Sequence, residues 1–378
     1  MKRLKLGMVG GGRGAFIGGV HRIASRIDGR FELVAGALSS SADTAAESAA
    51  DLGIAPDRSY SDFRVMAKTE ADRSDGIDAV AIVTPNQMHA APVIAFLRAG
   101  ISVICDKPLC ATLAEADEIA AAIKSSSAHF VLTHNYTGYP LVRHARRIIA
   151  NGELGAIRVA QIEYAQDWLA KSIENEGQKQ AAWRTDPAKS GGGGAIGDIG
   201  THAFNLLGFV TGLKTEALSA DLHSFGTGRQ VDDNAHILLR MQGGAKAMLW
   251  ASQIAIGNEN RMCLRVYGEK GGLEWSQENP NVMSLTVHGE AKRILTRGGA
   301  GFGDGSQLWT RIPPGHPEGY LECFANIYTE AADLIEGKND GAMLPGIDEG
   351  LQGMQFIDTC LRSAKNNSEW LPFGLKKS

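Results

Sequence analysis

Asp198 and His202 are a carboxylate and an imidazole whose spacing would allow them to act together in acid–base chemistry. They stand four residues apart in a stretch whose apolar residues repeat at helical spacing, so a helix would place them one turn apart and facing a common cleft. The apolar positions are Ile199, Ala203, Leu206, Leu207 and Val210, and the stretch ends before Gly212. The unperturbed pKa of histidine is about 6.5, so a neutral His202 is suited to take and return a proton near neutral pH.

A glycine-rich loop near the start of the chain has the spacing of a phosphate cradle. Residues 10–15 read Gly-Gly-Gly-Arg-Gly-Ala, a GxGxxA pattern that follows an apolar run and precedes a helical stretch. Glycines permit a tight turn and close approach of the backbone to a pyrophosphate, while the helix N-terminus offers N–H groups and a partial positive charge. The pattern is weak alone, but its place between strand and helix predicts dinucleotide binding.

The end of the second predicted strand bears on the choice of dinucleotide. NAD enzymes usually place an acid there to bind the ribose 2′-hydroxyl, and NADP enzymes place a cation nearby. This chain has neither, because Leu38 is followed by Ser39, Ser40 and Ser41. The absence of a cation favours NAD, and NADP stays possible.

The elements that must position these residues form two domains. Strands are predicted at 4–9, 31–38, 78–83, 101–105 and 129–133, and helices at 15–27, 42–52, 90–99 and 113–124. This alternation predicts an α/β fold, a doubly wound parallel sheet of the Rossmann type, for residues 1–134. After a helix at 141–151, apolar runs follow one another at 157–164, 235–241, 245–254, 262–267 and 282–287. Residues 135–378 are therefore predicted to form an α+β domain with a large, mostly antiparallel sheet, which binds substrate and forms oligomers.

Composition excludes several classes of function. The 378 residues carry a formal net charge of -4, which gives no basic surface for nucleic acid. No apolar run has the length of a membrane span, and the first residues lack the pattern of a signal peptide, so we expect no membrane partner and a cytoplasmic protein. The five cysteines are scattered, and neither CxxC nor HExxH occurs, so we expect free buried thiols and no metal.

Two further segments lie where parallel strands end, at the edge where open α/β sheets bind ligands. Residues 84–89 read Thr-Pro-Asn-Gln-Met-His, and residues 105–108 read Cys-Asp-Lys-Pro. Together with the glycine loop, they resemble the Gfo/Idh/MocA family of nicotinamide-dependent sugar and cyclitol dehydrogenases. The resemblance continues over nearly the whole chain through Gly152-Glu153-Leu154-Gly155, Trp183-Arg184, Gly191-Gly192-Gly193 and Asp198-Ile199-Gly200-Thr201-His202.

The resemblance implies catalytic roles for Lys107, Asp198 and His202. Lys107 matches the lysine of the family's Glu-Lys-Pro motif, although Asp106 here is shorter than the usual glutamate. Asn205 stands where many members have an aspartate, which puts an acidic role there in doubt.

Oxidation of a secondary alcohol by a nicotinamide needs a group that takes the hydroxyl proton. We assign His202 as this acid/base, Lys107 as the group that orients and polarises the reacting oxygen, and Asp198 as a partner of a substrate hydroxyl. Lysine has an unperturbed pKa of about 10.4 and would need burial to act as the base. An exchange of the roles of His202 and Lys107 is the main alternative.

The remaining predicted contacts come from the same loops, from Tyr136 after His134-Asn135, from a polar, aromatic run at 164–168 that begins with Tyr164, and from His316. The resemblance implies that Trp183 and Arg184 lie near the cofactor. The predicted cofactor-binding residues are Gly10, Gly12, Arg13, Gly14, Ala15, Phe16, Ile17, Ser39, Ser40, Thr84, Pro85, Asn86, His89, Asp106, Lys107, Asn135, Trp183 and Arg184. The predicted substrate-binding residues are Lys107, Tyr136, Gln166, Asp167, Trp168, Arg184, Asp198, His202 and His316.

The resulting hypothesis is an NAD(P)-dependent dehydrogenase acting on a secondary hydroxyl of a sugar, anhydrosugar or inositol. One alternative is an NAD-dependent glycoside-cleaving enzyme, in which transient oxidation of the sugar permits elimination. Another is a dinucleotide sensor without catalysis, against which the intact Lys107, Asp198 and His202 weigh. The resemblance also implies a homodimer or homotetramer formed through the large sheet.

Overall fold

The computed structural model describes residues 3–302 and 309–374. The chain divides into two compact units. The first comprises Met1–Gly138 and Tyr320–Leu351, and the second comprises Tyr139–Gly319 and Gln352–Ser378.

The first unit contains a five-stranded parallel sheet with the order β2-β1-β3-β4-β5. Its strands are β1 (Leu4–Gly10), β2 (Phe31–Ala37), β3 (Ala79–Val83), β4 (Ser102–Cys105) and β5 (Phe130–Leu132). All residues of β3 and β4 are buried, as expected for a parallel sheet covered by helices on both faces. The predicted α/β Rossmann-type fold is thereby confirmed.

Helices alternate with these strands. They are α1 (Phe16–Ile27), α2 (Ala42–Asp51), α3 (Phe63–Asp72), α4 (Ala90–Arg98) and α5 (Leu113–Lys124). Thr112 and Glu115 form a reciprocal capping box that begins α5. The predicted helices agree with this set except that α3 was not expected. The apolar pattern of α3 is weak, because Met66 and Ala67 are the buried hydrophobic residues among its ten and they are adjacent in sequence, so they do not form a stripe at helical spacing.

The first unit also receives a late segment of the chain. Helix α10 (Tyr320–Ile335) packs on α1, where the ring of His21 lies 5.1 Å from that of Phe324 and its Nδ1 lies 2.8 Å from the Tyr328 hydroxyl. A Cβ on Gly138 would overlap the carbonyl oxygen of Cys323, so the two segments are in close contact. The predicted division at residue 134 placed all of 135–378 in the second domain. In the structure, residues 320–351 belong to the first unit. Their packing there depends on contacts between residues far apart in the sequence, which local sequence patterns do not reveal.

The second unit contains a nine-stranded sheet with the order β13-β12-β11-β10-β6-β9-β8-β7-β14. Its strands are β6 (Ile157–Ala165), β7 (Thr215–His223), β8 (Asn234–Met241), β9 (Lys246–Ser252), β10 (Arg261–Gly268), β11 (Gly271–Ser276), β12 (Val282–Val287), β13 (Arg293–Thr296) and β14 (Leu371–Pro372). All neighbouring pairs are antiparallel except β6 and β9, which confirms the predicted mostly antiparallel sheet.

The helices of this part of the chain are α6 (Pro140–Ala150), α7 (Lys179–Arg184), α8 (Pro187–Ser190), α9 (Thr201–Thr211) and α11 (Ile347–Lys365), the last of which begins in the first unit. Within the described ranges, no helix is long and apolar enough to cross a membrane. All five cysteines are buried and unbridged. In the same ranges, no cluster of three or more His, Cys, Asp or Glu residues is arranged to hold a metal ion.

Candidate active site

The loop between β1 and α1 has the backbone of a phosphate cradle. Gly10, Gly11 and Gly14 have φ values of +79°, +73° and +78°, which side-chain-bearing residues rarely adopt. A Cβ on Gly12 would lie 2.7 Å from the carbonyl oxygen of Leu38, so only glycine fits there. Helix α1 begins directly after Ala15, and no described side chain caps its first turn. The loop therefore fits a dinucleotide pyrophosphate, which would be bound by backbone N–H groups.

The side chain of Arg13 is held by α2. Its Nε and Nη2 donate to the two carboxylate oxygens of Asp51, at 2.6 and 2.9 Å, and its Nη1 donates to Glu47. Its backbone N–H lies 3.2 Å from the Ser48 hydroxyl. At the end of β2, the Ser39 hydroxyl accepts the N–H of Ser41 at 3.2 Å. The predicted contacts of Arg13, Ser39 and Ser40 with the cofactor stay predictions.

His89 connects the loops that follow β3 and β4. Its Nε2 lies 2.8 Å from the carbonyl oxygen of Thr84, and its Nδ1 lies 2.8 Å from that of Pro108. The ring is buried, and Asn86 beside it is buried as well. His89 thus fixes the relative position of the two predicted ligand-binding segments within the first unit.

Asp106 is a largely buried carboxylate directly after β4, with 15% of its side chain exposed. Its Oδ1 accepts hydrogen bonds from the Lys107 N–H and the Thr133 hydroxyl, both at 3.0 Å. Burial acts to raise the pKa of Asp106, but His21, Lys107 and His89 around it lower the pKa to about 2. Asp106 is therefore ionised at neutral pH and anchors the backbone from which Lys107 projects.

His134 gives Lys107 a neutral neighbour. Burial, followed by the positive charge of Lys107, lowers the pKa of His134 to about 3. The adjacent Asn135 and Tyr136 are buried, and Asn135 Nδ2 lies 3.6 Å from Cys323 Sγ. The predicted residues Lys107, Asn135 and Tyr136 therefore belong to a largely buried part of the first unit.

In the second unit, Asp198 and His202 lie on one continuous helical segment. Asp198 belongs to a π-helical turn, Ile196–Gly200, and His202 to the first turn of α9. The predicted apolar positions Ile199, Ala203, Leu206, Leu207 and Val210 are all buried. The π-helical turn was not expected, and the glycines Gly197 and Gly200 within it relax the steric limits on such a turn.

The carboxylate of Asp198 is held by two donors. Its Oδ2 accepts hydrogen bonds from Arg184 Nε at 3.2 Å and from Gln253 Nε2 at 2.9 Å. The guanidinium of Arg184 lies 4.2 Å from the centre of the Trp183 ring and 6.0 Å from that of Trp168. Both donors fix the position of the Asp198 carboxylate, and the aromatic rings fix the plane of the arginine.

A chain of polar side chains continues from Trp168 to His202. Trp168 Nε1 donates to Gln166 Oε1 at 3.0 Å, and Gln166 Nε2 donates to Asn260 Oδ1 at 2.7 Å. The hydroxyl of Tyr164 donates to the same Asn260 oxygen at 2.9 Å. The Tyr164 ring lies 6.1 Å from that of His202. The second unit thus groups hydroxyl, amide, carboxylate and indole groups beside the rings of Trp168 and Tyr164, a mixture of polar and aromatic surface that is typical of small-molecule sites.

The register of the sheet explains this grouping. Ala165 at the end of β6 pairs with Ser252 at the end of β9 and with Arg261 at the start of β10. The segments that follow β6 and β9 and precede β10 therefore leave the sheet at one edge. Gln253 and Asn260, which were not predicted, come from these segments. Their position directly beside a strand end is the sequence signal that could have indicated them.

Two predicted substrate-binding residues make other contacts. Asp167 Oδ2 accepts the N–H of Gly257 at 3.0 Å and so closes a turn of the second unit. His316 is exposed, and its Nδ1 lies 3.3 Å from the carbonyl oxygen of Pro313 in its own loop. The hydrogen bonds described above do not connect either residue to Asp198, Arg184 or Gln253. Their contacts with substrate stay predictions.

Comparison with known proteins shows a family match for each of two consecutive parts of the chain. Residues 4–145 match the NAD-binding Rossmann fold of the oxidoreductase family, and residues 142–274 match the Gfo/Idh/MocA C-terminal domain. The crystal structure of an oxidoreductase from Sinorhizobium meliloti is similar, with 54% identity and a TM-score of 0.90 over 98% of this chain and 100% of that chain.

Two relatives with named substrates are also similar. An inositol dehydrogenase homologue from Azotobacter vinelandii, solved with NADH and myo-inositol, has 34% identity and a TM-score of 0.91 over 98% of each chain. Levoglucosan dehydrogenase of Pseudarthrobacter phenanthrenivorans is 27% identical over 97% of this chain and 98% of its own. These matches confirm the resemblance predicted from the motifs, and NAD as the cofactor. The chain is an NAD-binding oxidoreductase of the Gfo/Idh/MocA family.

Proposed function

We propose that the protein is an NAD-dependent dehydrogenase that oxidises a secondary hydroxyl of a sugar, anhydrosugar or inositol, or reduces the matching ketone. The observation that carries the proposal is the Asp198 carboxylate held by Arg184 and Gln253 beside two tryptophan rings. A fixed carboxylate accepts hydrogen bonds from vicinal hydroxyls, and indole faces cover the apolar C–H faces of such rings.

The proposed roles of the catalytic residues are those predicted from the sequence. NAD, when bound, supplies the carbon that accepts the hydride. The ring of His202 takes the proton of the reacting hydroxyl, and Asp198 accepts a hydrogen bond from a substrate hydroxyl. Lys107 orients and polarises the reacting oxygen, and the neutral state of His134 beside it avoids a second positive charge there. The ionised Asp106 fixes the backbone at Lys107.

The substrate class is tested by following NADH absorbance with a panel of free sugars, anhydrosugars and inositols, with NAD⁺ and NADP⁺ supplied separately. We expect net NADH formation with at least one neutral polyol and a higher kcat/KM with NAD⁺ than with NADP⁺. Release of the aglycone from aryl glycosides without net NADH would instead indicate the glycoside-cleaving reaction. Absence of both, with NADH bound, would overturn the proposal.

The proton-transfer roles are tested with His202→Gln and Lys107→Met. General acid–base groups contribute roughly 10²–10⁴-fold to rate, so His202→Gln should lower kcat by that order while the NADH dissociation constant stays within about twofold. Full turnover in His202→Gln with loss in Lys107→Met would reverse the two roles. Full turnover in both would exclude the mechanism.

We also propose that the protein forms a homo-oligomer through the large sheet. One face of this sheet exposes apolar side chains on adjacent strands: Val159 pairs with Tyr267, and Leu238 pairs with Met248. Burial of such a patch against a second copy would remove apolar surface from water. Light scattering after size exclusion should give a multiple of the 40.2 kDa chain mass, and Leu238→Glu should lower it. A monomer at micromolar concentration would contradict this.

A further inference from the structure

Asp232 lies just before β8 and is buried against the start of the segment that carries Asp198. Its Oδ1 accepts the N–H of Gly194 at 2.7 Å, and its Oδ2 accepts the N–H of Ile196 at 2.8 Å. Its carbonyl oxygen accepts the N–H of Ala195, also at 2.8 Å. Three successive N–H groups, which a helix start leaves without partners inside the helix, are thus bound by one residue.

The contact is too close to permit a side chain at Gly194. A Cβ there would overlap the carbonyl oxygen of Asp232. Gly194 therefore has a packing role that its place in a glycine-rich stretch does not reveal. Any substitution at this position must displace the start of the π-helical turn from Asp232.

Asp233, the next residue before β8, contacts Gln253, one of the two donors to Asp198. The carbonyl oxygen of Asp233 accepts the N–H of Gln253 at 2.9 Å, and Gln253 Nε2 is a donor to Asp198. The side chain of Asp233 is itself fixed by the N–H groups of Phe225 and Gly226 and by Arg229, whose Nη1 lies 2.8 Å away. Asp232 thus contacts the start of the helical segment that carries Asp198, and Asp233 contacts Gln253, the residue that donates a hydrogen bond to Asp198.

The environment of the Asp232 carboxylate disfavours its charged form. Burial raises the pKa of Asp232 to about 6; backbone hydrogen bonds from Ile196, Gly194 and Asp232 itself oppose the shift, and the neighbouring Asp233 charge adds to it. A buried carboxylate is unfavourable unless it is hydrogen-bonded, so its two amide partners are the interactions that stabilise it here.

We propose that Asp232 is a positioning residue for Asp198 and His202: it fixes the helical turn that presents both side chains and acts on turnover through them. An asparagine at 232 would keep the size but replace one accepting oxygen with an N–H₂ group facing a backbone N–H. The turn would shift away, and a misplacement on the order of 1 Å in a catalytic group can cost about 10²-fold in rate. The kinetic part of this inference rests on the proposed function.

The test compares wild-type protein with Asp232→Asn, Gly194→Ala and the control Asp117→Asn. Asp117 lies exposed on α5, so the control makes the same chemical change without a buried contact. Hydrogen exchange of the amides at 194–199 reports the anchoring without any substrate. Turnover is measured with NAD⁺ and myo-inositol, or with the polyol turned over fastest in the panel above, and expressed per NADH-binding site. Counting sites separates slowed turnover from loss of folded protein.

We expect exchange at 194–199 to rise at least tenfold in Asp232→Asn and Gly194→Ala. We also expect kcat per site to fall by about 10–100-fold, with the NADH dissociation constant within about twofold. Asp117→Asn should match wild type in every measurement. Unchanged exchange, or faster exchange with unchanged kcat per site, would overturn the inference. If wild type turns over no polyol, the proposed function fails, while the exchange comparison still decides whether Asp232 anchors the turn.

Discussion

Arg184 donates a hydrogen bond to Asp198 at 3.2 Å while its guanidinium lies over the ring of Trp183, with 4.2 Å between the guanidinium carbon and the ring centre. The two contacts use different parts of the same planar group, its edge and its face. The stacked ring keeps the edge directed at the carboxylate. Asp198 is therefore held in place by the shape of its partner as well as by its charge.

Arg184→Lys should lower kcat/KM for the polyol, because lysine keeps the charge but lacks the planar face and edge. The loss of one charge-assisted hydrogen bond, on the order of 1.5–3 kcal/mol, corresponds to roughly 10–100-fold. Arg240→Lys is the matched control, since Arg240 stacks on Trp370 at 4.1 Å outside the candidate site. Equal effects of the two substitutions would show that the Arg184 contact has no special role. Steady-state kinetics check this.

Gln253→Glu should lower kcat/KM in a pH-dependent way. Gln253 Nε2 lies 2.9 Å from Asp198, so a carboxylate at 253 would face another carboxylate. Like charges at that distance raise the pKa of one partner, so the loss should exceed about tenfold at pH 8 and be smaller at pH 6. Gln242→Glu makes the same change at an exposed position and should leave the kinetics unchanged. A loss that is equal at both pH values would argue against charge repulsion.

Gly12→Ala should weaken NADH binding. A Cβ at position 12 would lie 2.7 Å from the carbonyl oxygen of Leu38 and force the cradle to shift, an overpacking effect of roughly 1–3 kcal/mol or about 5–150-fold. Gly19→Ala in α1 is the control, because the nearest atom to its Cβ would be Arg22 Nη2 at 3.9 Å. Alanine there should raise stability by roughly 0.5–1 kcal/mol and leave NADH binding unchanged. Fluorescence titration and thermal melts measure both effects.

His134→Gln should make the protein less sensitive to acid. The pKa of His134 is depressed to about 3, whereas an unfolded histidine has a pKa near 6.5. The unfolded state therefore binds the extra proton first, and the stability that His134 contributes is complete above pH 6.5 and is lost as pH falls toward 3. Between pH 7 and pH 5, the free energy of unfolding of wild type should fall by about 2 kcal/mol more than that of the variant.

The control for this prediction is His236→Gln, at an exposed position of β8. Its unfolding free energy should follow the wild-type pH dependence, as measured by denaturant titration at each pH. A pH dependence of His134→Gln that is the same as in wild type would show that His134 is protonated equally in both states.

The sequence predicts best what depends on local pattern. β3 and the glycine loop are visible because five consecutive apolar residues and closely spaced glycines have few other interpretations. Asp198 and His202 are predicted on one segment because the apolar stripe beside them has a helical period. The π-helical turn is not predicted, and the residue that accepts the N–H groups at its start, Asp232, lies 36 residues from Ile196 along the chain.

The contacts of the candidate site are harder to predict, since its partners are far apart along the chain. Gln253 meets Asp198 across 55 residues, and Asn260 meets Gln166 across 94. Only the register of β6 with β9 and β10 brings these segments to one edge, and register depends on the assembled sheet.

The return of Tyr320–Leu351 to the first unit has a consequence for biosynthesis. Chains emerge from the ribosome N-terminus first, at about 5–20 residues per second. The first 138 residues therefore emerge long before α10, and until then His21 and Phe31 lack the aromatic rings of α10 that cover them, Phe324 and Tyr328. The nucleotide-binding unit is the first to be translated but cannot be completed until most of the second unit has been made.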